Sequence, residues 1–444
     1  MKYIATFISK FKYNNFNFEE LISICEMFNI KNLKIDENFM FDVMNYPYIN
    51  IYFDGIDNEE LCKKIVNRAV LLKNIVKVYS EGNSVDDLIK NMNTEAFKEE
   101  QESTETFKFD VDIRGLSVNQ AGRVEMMNKF NAFPLKGKVD LNSPKRIFTL
   151  FQNKFDNKTY TFFGRQLAGK DEHTRFYTKY DLMHRKYLGP TSTDHILAFL
   201  MTNLAQIKKN ELIIDPFAGT GSILIPPTHY GAFVFGCDLD VRVLKGYAVG
   251  YVRKDNKMVS NEADIFTNFD DYGLPRPQII RQDINHPGFR KKCNTFDAIV
   301  CDPPYGYRAC SKKTGLSDYK KEKREQRLKQ KMKKEKDNNE ESDEEEDFDP
   351  DYIHYGDEKR LFLPTKACEV SQIFESLISF ANDVLKKNGL LVCLYPTKRS
   401  KKEADLVHLP IGFPQHRSFK LLKACENKYS KLKSRWCLVY RKIE

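Results

Sequence analysis

Residues 296–306 read Phe-Asp-Ala-Ile-Val-Cys-Asp-Pro-Pro-Tyr-Gly, an apolar strand-like run ending in a carboxylate, two prolines and an aromatic ring. An amine conjugated to a ring is a poor nucleophile because its lone pair is delocalised. Hydrogen bonds from such an amine to the Asp302 carboxylate and the Pro303 carbonyl, with Tyr305 stacked on the ring, push the nitrogen toward tetrahedral geometry and in-line attack. The prolines stiffen the backbone that carries these acceptors. Asp302, Pro303, Pro304 and Tyr305 are therefore candidate catalytic residues for methylation of an exocyclic base amine. A double proline after a strand is by itself only a turn, and a second motif about 80 residues upstream gives it weight.

That second motif is Leu212-Ile213-Ile214-Asp215-Pro216-Phe217-Ala218-Gly219-Thr220-Gly221-Ser222. Gly219 and Gly221 let the backbone bend tightly and approach a ligand at the carboxyl end of a strand, where open α/β sheets bind cofactors. Leu224 stands where the dinucleotide fingerprint has its third glycine, and no Gly-Lys-Ser/Thr of a phosphate loop follows. Asp215, on the strand side of the turn, is placed to receive a cationic amino group rather than a pyrophosphate. Asp238, seventeen residues past Gly221, ends the next apolar run and can accept from both ribose hydroxyls of a nucleoside, a device that nicotinamide enzymes share. Asp283 follows a third run, 278–281, and either accepts from an adenine amino group or is a surface loop acid. The candidate cofactor-binding residues are thus Asp215, Gly219, Gly221, Asp238 and Asp283.

The elements that must position these residues follow from the apolar pattern. Runs at 212–214, 233–237, 298–301 and 390–395, separated by helix-length segments, imply a parallel, doubly wound α/β sheet covered on both faces. Residues 191–207 predict a helix leading into it, with Ser192 and Thr193 as candidate caps and Ile196, Leu200 and Leu204 spaced four apart. Residues 1–94 alternate strands (2–8, 48–53, 70–78) with helices (18–28, 58–69) and read as a small α+β module. A polar stretch, 95–106, reads as a linker. Residues 107–175 predict a second α+β module, with strands at 107–113, 146–152 and 160–165 and a helix at 118–130.

The 444 residues suit two to four domains, and the 71 Lys+Arg against 62 Asp+Glu leave a net charge of +9. Residues 320–336 hold 10 basic and 3 acidic side chains, and 337–351 hold 10 acidic and none basic. Without that stretch the charge rises to 61 − 49 = +12, which suits a polyanionic partner. The split-charge segment itself predicts a solvated loop or helical insertion, whose basic half could meet RNA or act as a nuclear signal. No apolar run approaches the ~20 residues of a membrane span, and the apolar stretch among the first residues is too short for the core of a signal peptide. The ten cysteines form no CxxC pair and most lie in apolar strings. Reduced thiols of a cytosolic or nuclear protein are expected, a Cys-based zinc site is not indicated, and no metal ligands are assigned.

The two motifs together resemble the S-adenosylmethionine-dependent amino-methyltransferases of nucleic-acid bases. The resemblance implies a Rossmann-like methyltransferase sheet with a final antiparallel strand over residues 185–444, interrupted by the insertion 320–351. It implies a cofactor loop at Asp215, Gly219 and Gly221, a ribose-binding acid at Asp238, an adenine contact at Asp283 and a catalytic tetrapeptide at 302–305. With Arg185-Lys186-Tyr187-Leu188-Gly189-Pro190-Thr191-Ser192 and Asp-Pro-Pro-Tyr-Gly-Tyr-Arg, the chain resembles the catalytic subunits of eukaryotic tRNA (guanine-10-N2)-methyltransferases. That narrower resemblance implies a ferredoxin-like module at 1–94, a THUMP-type tRNA-binding module at 107–175, a small zinc-binding activator subunit as partner, and a cytoplasmic location. An adenine-N6 methyltransferase of RNA or DNA would use the same tetrapeptide, and a catalytically silent tRNA-binding scaffold is a third reading. A cytosine-C5 enzyme is disfavoured, since its nucleophilic cysteine would stand beside a proline and Cys301 lies inside the strand.

Overall fold

The computed structural model describes residues 1–8, 11–35, 47–170, 175–189, 192–246, 263–304, 311–315, 321–322, 325–326, 329, 352–355, 358–361, 365–398, 412–430 and 433–444. They fall into two compact units, Met1–Thr178 with Cys425–Tyr429, and Lys179–Ala424 with Ser430–Glu444. Tyr305 and most of the charged insertion lie outside the described residues.

The first unit is built on seven strands: β1 (Lys2–Phe7), β2 (Lys34–Ile35), β3 (Tyr48–Tyr52), β4 (Leu72–Gly82), β5 (Phe107–Arg114), β6 (Arg146–Phe155) and β7 (Lys158–Gly169). They form one sheet in the order β2-β3-β1-β4-β7-β6-β5. The join is the antiparallel pairing of β4 with β7, so the two expected N-terminal modules share a sheet. Alternation along β1 sends Tyr3, Ala5 and Phe7 toward helices α1 (Asn17–Met27) and α2 (Glu59–Arg68), and Ile4 to the opposite face with Val76 and Phe162. Helix α3 (Val85–Lys90) follows β4. The stretch expected as a linker is instead helix α4 (Thr94–Glu102). Its two buried residues explain why. Phe97 packs edge-on against Tyr79, Phe148 and Phe163, and Glu100 accepts from the Tyr79 hydroxyl at 2.5 Å and from Arg146 at 2.6 Å. The helix α5 (Gln120–Asn128) lies where residues 118–130 predict one.

The second unit opens with α6 (His195–Leu204), a largely apolar helix buried along its whole length, with Thr202 bonded back to the Ala198 carbonyl. Its cap is Asp194, whose carboxylate accepts from the N–H groups of Ile196 and Leu197, not Ser192 or Thr193. Then come β8 (Leu212–Asp215), α7 (Ile225–His229), β9 (Phe233–Asp238), α8 (Val241–Lys245), α9 (Thr267–Asp271), β10 (Gln278–Arg281) and β11 (Phe296–Cys301). Two short pairs follow: β12 (Lys312–Thr314) with β15 (Thr365–Ala367), and β13 (Tyr352–Tyr355) with β14 (Glu358–Leu361). Helix α10 (Val370–Val384) and strands β16 (Leu385–Lys398), β17 (Phe419–Ser430) and β18 (Lys433–Lys442) complete it.

The main sheet has the order β10-β9-β8-β11-β16-β18-β17. The first five strands in that order are parallel, and β18 runs antiparallel to β16. Strand order reverses between β8 and β11, which makes the gap beyond their carboxyl ends the topological switch point. On one face α10 presents Ile373, Phe374, Leu377, Ala381 and Val384 at helical spacing to Ile299, Cys301, Leu391 and Cys393. Among the described residues no helix is long and apolar enough to cross a membrane.

Candidate active site

Four parallel strands of the main sheet end in an acid or are followed by one within two residues, and proline follows two of those acids. Pro216 follows Asp215 at the end of β8, and Pro303 follows Asp302 just past β11. Asp238 ends β9, and Gln282-Asp283 follow β10. Four of the acids singled out in the sequence thus stand along one edge of the sheet.

Asp215 is 1% exposed. Its Oδ1 accepts from the Phe217 N–H at 2.8 Å and its Oδ2 is buried without a partner. Burial pushes its pKa well above the ordinary carboxylate range, and the charges of Asp238 and Asp302 push the same way. Asp238 holds the glycine loop: Oδ2 accepts from the Gly219 N–H at 2.9 Å and Oδ1 from the Asp240 N–H at 2.8 Å. Burial raises it to about 6 despite those bonds. Gly219 has φ +52° and Gly221 φ +80°, both in the left-handed region that favours glycine. A Cβ on Gly219 would meet nothing within 4 Å, whereas one on Gly221 would press on Ile265 and Phe269 at 3.0 and 3.2 Å. Gly221 is thus needed for packing and Gly219 faces open space.

Asp302 is held from one side. Its Oδ2 accepts from Arg435 Nη1 at 3.0 Å and from Thr193 Oγ1 at 3.3 Å, while Oδ1 is buried with no partner. Burial raises its pKa, and Arg435 and Thr193 offset only part of the rise. Pro303 is buried, and the Pro304 carbonyl accepts from Ser311 Oγ at 2.7 Å. Asp283 differs from the other three acids. Oδ2 accepts from the Thr314 N–H and hydroxyl, both at 2.7 Å, and Oδ1 from Asn285 N and Nδ2 at 2.9 and 2.8 Å. Burial is outweighed by these bonds, so its pKa is lowered. The four acceptor directions of a carboxylate are filled, and in this structure Asp283 ties the turn after β10 to β12.

Four residues of this site were not singled out in the sequence as site residues: Ser192, Thr193, Arg435 and Arg185. Arg185, 3% exposed, donates to Ser222 Oγ at 2.5 Å and to the Tyr180 carbonyl at 3.2 Å, beneath the glycine loop. Ser192 Oγ accepts from the Gly189 N–H at 2.8 Å and bonds Thr220 Oγ1 at 2.9 Å. The hydroxyls read as helix caps therefore bind the glycine loop and Asp302. Among the described residues no group of acids, histidines and cysteines is arranged to hold a metal ion.

The site fits S-adenosylmethionine. A buried carboxylate oxygen without a partner at Asp215, an open cradle over Gly219 and the neighbouring acids Asp238 and Asp302 suit a cationic nucleoside, whose charge would favour their ionised forms, and do not suit a pyrophosphate.

Comparison with known sequences finds similar proteins. The family described as Tmrp11 THUMP N-terminal domain matches residues 1–170, and the family described as RMKL-like methyltransferase domain matches residues 183–338. The chain thus carries a region similar to THUMP N-terminal domains followed by one similar to methyltransferase domains. It is similar to the tRNA (guanine(10)-N(2))-methyltransferase TRMT11 of Homo sapiens, 27% identical over 408 residues that cover 88% of this chain and 79% of the human one. The Dictyostelium discoideum TRMT11 is 28% identical over 457 residues, covering 95% and 78%. Among solved structures, TrmN from Thermus thermophilus aligns over 100% of both chains at 16% identity with a TM-score of 0.42.

Proposed function

We propose that this methyltransferase moves a methyl group from S-adenosylmethionine to the exocyclic N2 amine of guanosine 10 in tRNA. The observation that carries the reading is a pair of buried, unpartnered carboxylate oxygens, Asp215 Oδ2 and Asp302 Oδ1, on the two strands that flank the switch point. When bound, S-adenosylmethionine supplies an electrophilic methyl group on a sulfonium. Asp215 faces its cationic end, Asp238 holds the ribose hydroxyls with the lone pairs its backbone bonds leave, and Gly219 gives it room. Asp302 Oδ1 and the Pro303 carbonyl accept the two amine hydrogens and Tyr305 stacks on the base, so the nitrogen lone pair is localised and aimed. As the C–N bond forms, the bond from the methyl carbon to sulfur would break and leave a neutral thioether, and the amine gives up one proton, for which Asp302 Oδ1, already its acceptor, is the placed base.

The N-terminal region, 1–94 as a ferredoxin-like module and 107–175 as a THUMP-type module, would grip the tRNA through phosphate contacts. A small zinc-binding activator subunit is the expected partner and the cytoplasm the expected location. Phe233 and Ile280, exposed on the outer strands β9 and β10, are apolar surface that such a partner could cover. Mass spectrometry of nucleosides from tRNA incubated with the purified chain, with and without the activator, tests the whole reading. N2-methylguanosine at position 10 is expected. N6-methyladenosine would move the assignment to the adenine enzymes, and no methylated nucleoside in either mixture would refute catalysis.

A further inference from the structure

Arg435 lies on β18, opposite Pro396 of β16 in the antiparallel ladder. Its side chain and that of Asp302 are 16% and 15% exposed, and they meet at 3.0 Å through Nη1 and Oδ2. Among the described residues, five groups face Asp302: Asp215 of β8, whose negative charge opposes it, the buried thiols of Cys301 and Cys393 on β11 and β16, Thr193 ahead of α6, and Arg435. Among these, Arg435 alone brings positive charge.

An acceptor for an amine must be ionised and must turn an oxygen toward the nitrogen. A protonated Asp302 would offer a hydroxyl on one oxygen, and a freely turning one would spread both oxygens over several directions. The guanidinium is planar and always charged, so it answers both needs by binding one oxygen in a fixed direction. The bond pattern has that form, with Oδ2 doubly held and Oδ1 open.

We propose that Arg435 is a positioning residue for methyl transfer: it holds Asp302 by one oxygen, keeps the carboxylate ionised, and thereby presents Oδ1 to the target amine. The inference rests on the proposed role of Asp302 as amine acceptor. Arg435 touches neither substrate nor cofactor in this role, so its loss acts on turnover rather than on binding.

The test uses the full chain with its activator and tRNA, measuring kcat and KM across pH for Arg435→Gln and Arg435→Lys. For Arg435→Gln, kcat should fall about tenfold or more at neutral pH, the scale of a lost charged hydrogen bond, with both KM values nearly unchanged. Its acid limb should move up by about 1–3 pH units, the scale of losing an opposite charge at this distance. Arg435→Lys should keep the wild-type acid limb with a lowered kcat, because it restores charge without the planar fork. An unmoved acid limb in Arg435→Gln, or equal losses in both variants at every pH, would overturn the proposal. Should the Gln variant not fold, Arg435→Lys decides: a lowered kcat on an unmoved limb supports the role, and a wild-type kcat overturns it. Asp302→Ala separates the two layers. If it turns over at the wild-type rate both readings fall, and if it is inactive while Arg435→Gln keeps the wild-type profile only this one does.

Discussion

Asp302→Asn keeps the shape of the side chain and changes only which of its atoms accept hydrogen bonds. The carboxylate faces donors on both sides: Arg435 and Thr193 at Oδ2, and the proposed amine at Oδ1. An amide offers one acceptor oxygen and one NH2 donor, so in either orientation it sets N–H against N–H, at Arg435 or at the substrate. The Thr193 hydroxyl can rotate to accept; the guanidinium cannot. Its charge draws the amide oxygen, which leaves the NH2 facing the amine. Loss of one preorganised transition-state acceptor lowers turnover by about 10²–10³ fold, and the opposed donors keep Asp302→Asn no better than Asp302→Ala. Adding Arg435→Gln supplies a carbonyl for the amide NH2 and frees the amide oxygen for the substrate. The double variant should regain about tenfold over Asp302→Asn alone, the scale of one buried hydrogen bond. Single-turnover transfer of labelled methyl into tRNA reads the effect, and calorimetric cofactor affinity, which the proposed reading assigns to Asp215 and Asp238, should hold steady. Near-normal turnover in Asp302→Asn, or a double variant no faster than the single one, would refute the two-sided donor arrangement.

Three further outcomes follow from the same geometry. Burial raises Asp238 to about 6, and only the ionised form accepts from both ribose hydroxyls, so cofactor affinity by calorimetry should fall as pH drops through about 6, less so in Asp238→Asn. Gly219→Ala should cost only about 1–2 kcal/mol of stability, the penalty of a left-handed backbone, because its Cβ meets no atom, yet weaken cofactor binding by more than that; equal affinity would remove Gly219 from the cradle. Lys442 donates to Asn294 Oδ1 and to the Asn382 and Leu385 carbonyls at 2.8, 2.6 and 2.8 Å, closing the end of α10. Lys442→Met should destabilise the second unit by about 2–3 kcal/mol, visible as a lower unfolding midpoint.

The parallel sheet was legible because its strands are buried on both faces and so read as uninterrupted apolar runs: 212–214, 233–237, 298–301 and 390–395 all lie within strands. The acids at strand ends were legible for a related reason, since a carboxylate closing such a run has few structural uses. Helix α4 was hidden because two buried residues, Phe97 and Glu100, hold it, and neither periodicity nor polarity announces a buried glutamate whose arginine lies 46 positions away. Ser192 and Thr193 carry the chemistry of caps, and only the fold decides that Asp194 takes that role while they turn to Thr220 and Asp302. Arg435 could not have been found by spacing: it is one basic residue in the sequence Lys433-Ser434-Arg435-Trp436, and a register of β18 against β16 brings it to Asp302.

The order of strands carries a consequence for the growing polypeptide. Asp302 leaves the ribosome 133 residues before the arginine that clamps it, roughly 7–27 s earlier at ordinary rates of synthesis. β17 is also made before β18, yet it lies outside β18 in the sheet, so it has no native edge to pair with until β18 has slotted beside β16. A nascent chain can therefore own its glycine loop and its acids while its sheet still ends at β16. Such a species would expose the flank of β16 as an unsatisfied strand edge, the surface most open to a chaperone or to aggregation. Methyl transfer would begin only after the late strand closes that edge, which makes completion of the sheet and competence of the enzyme a single event.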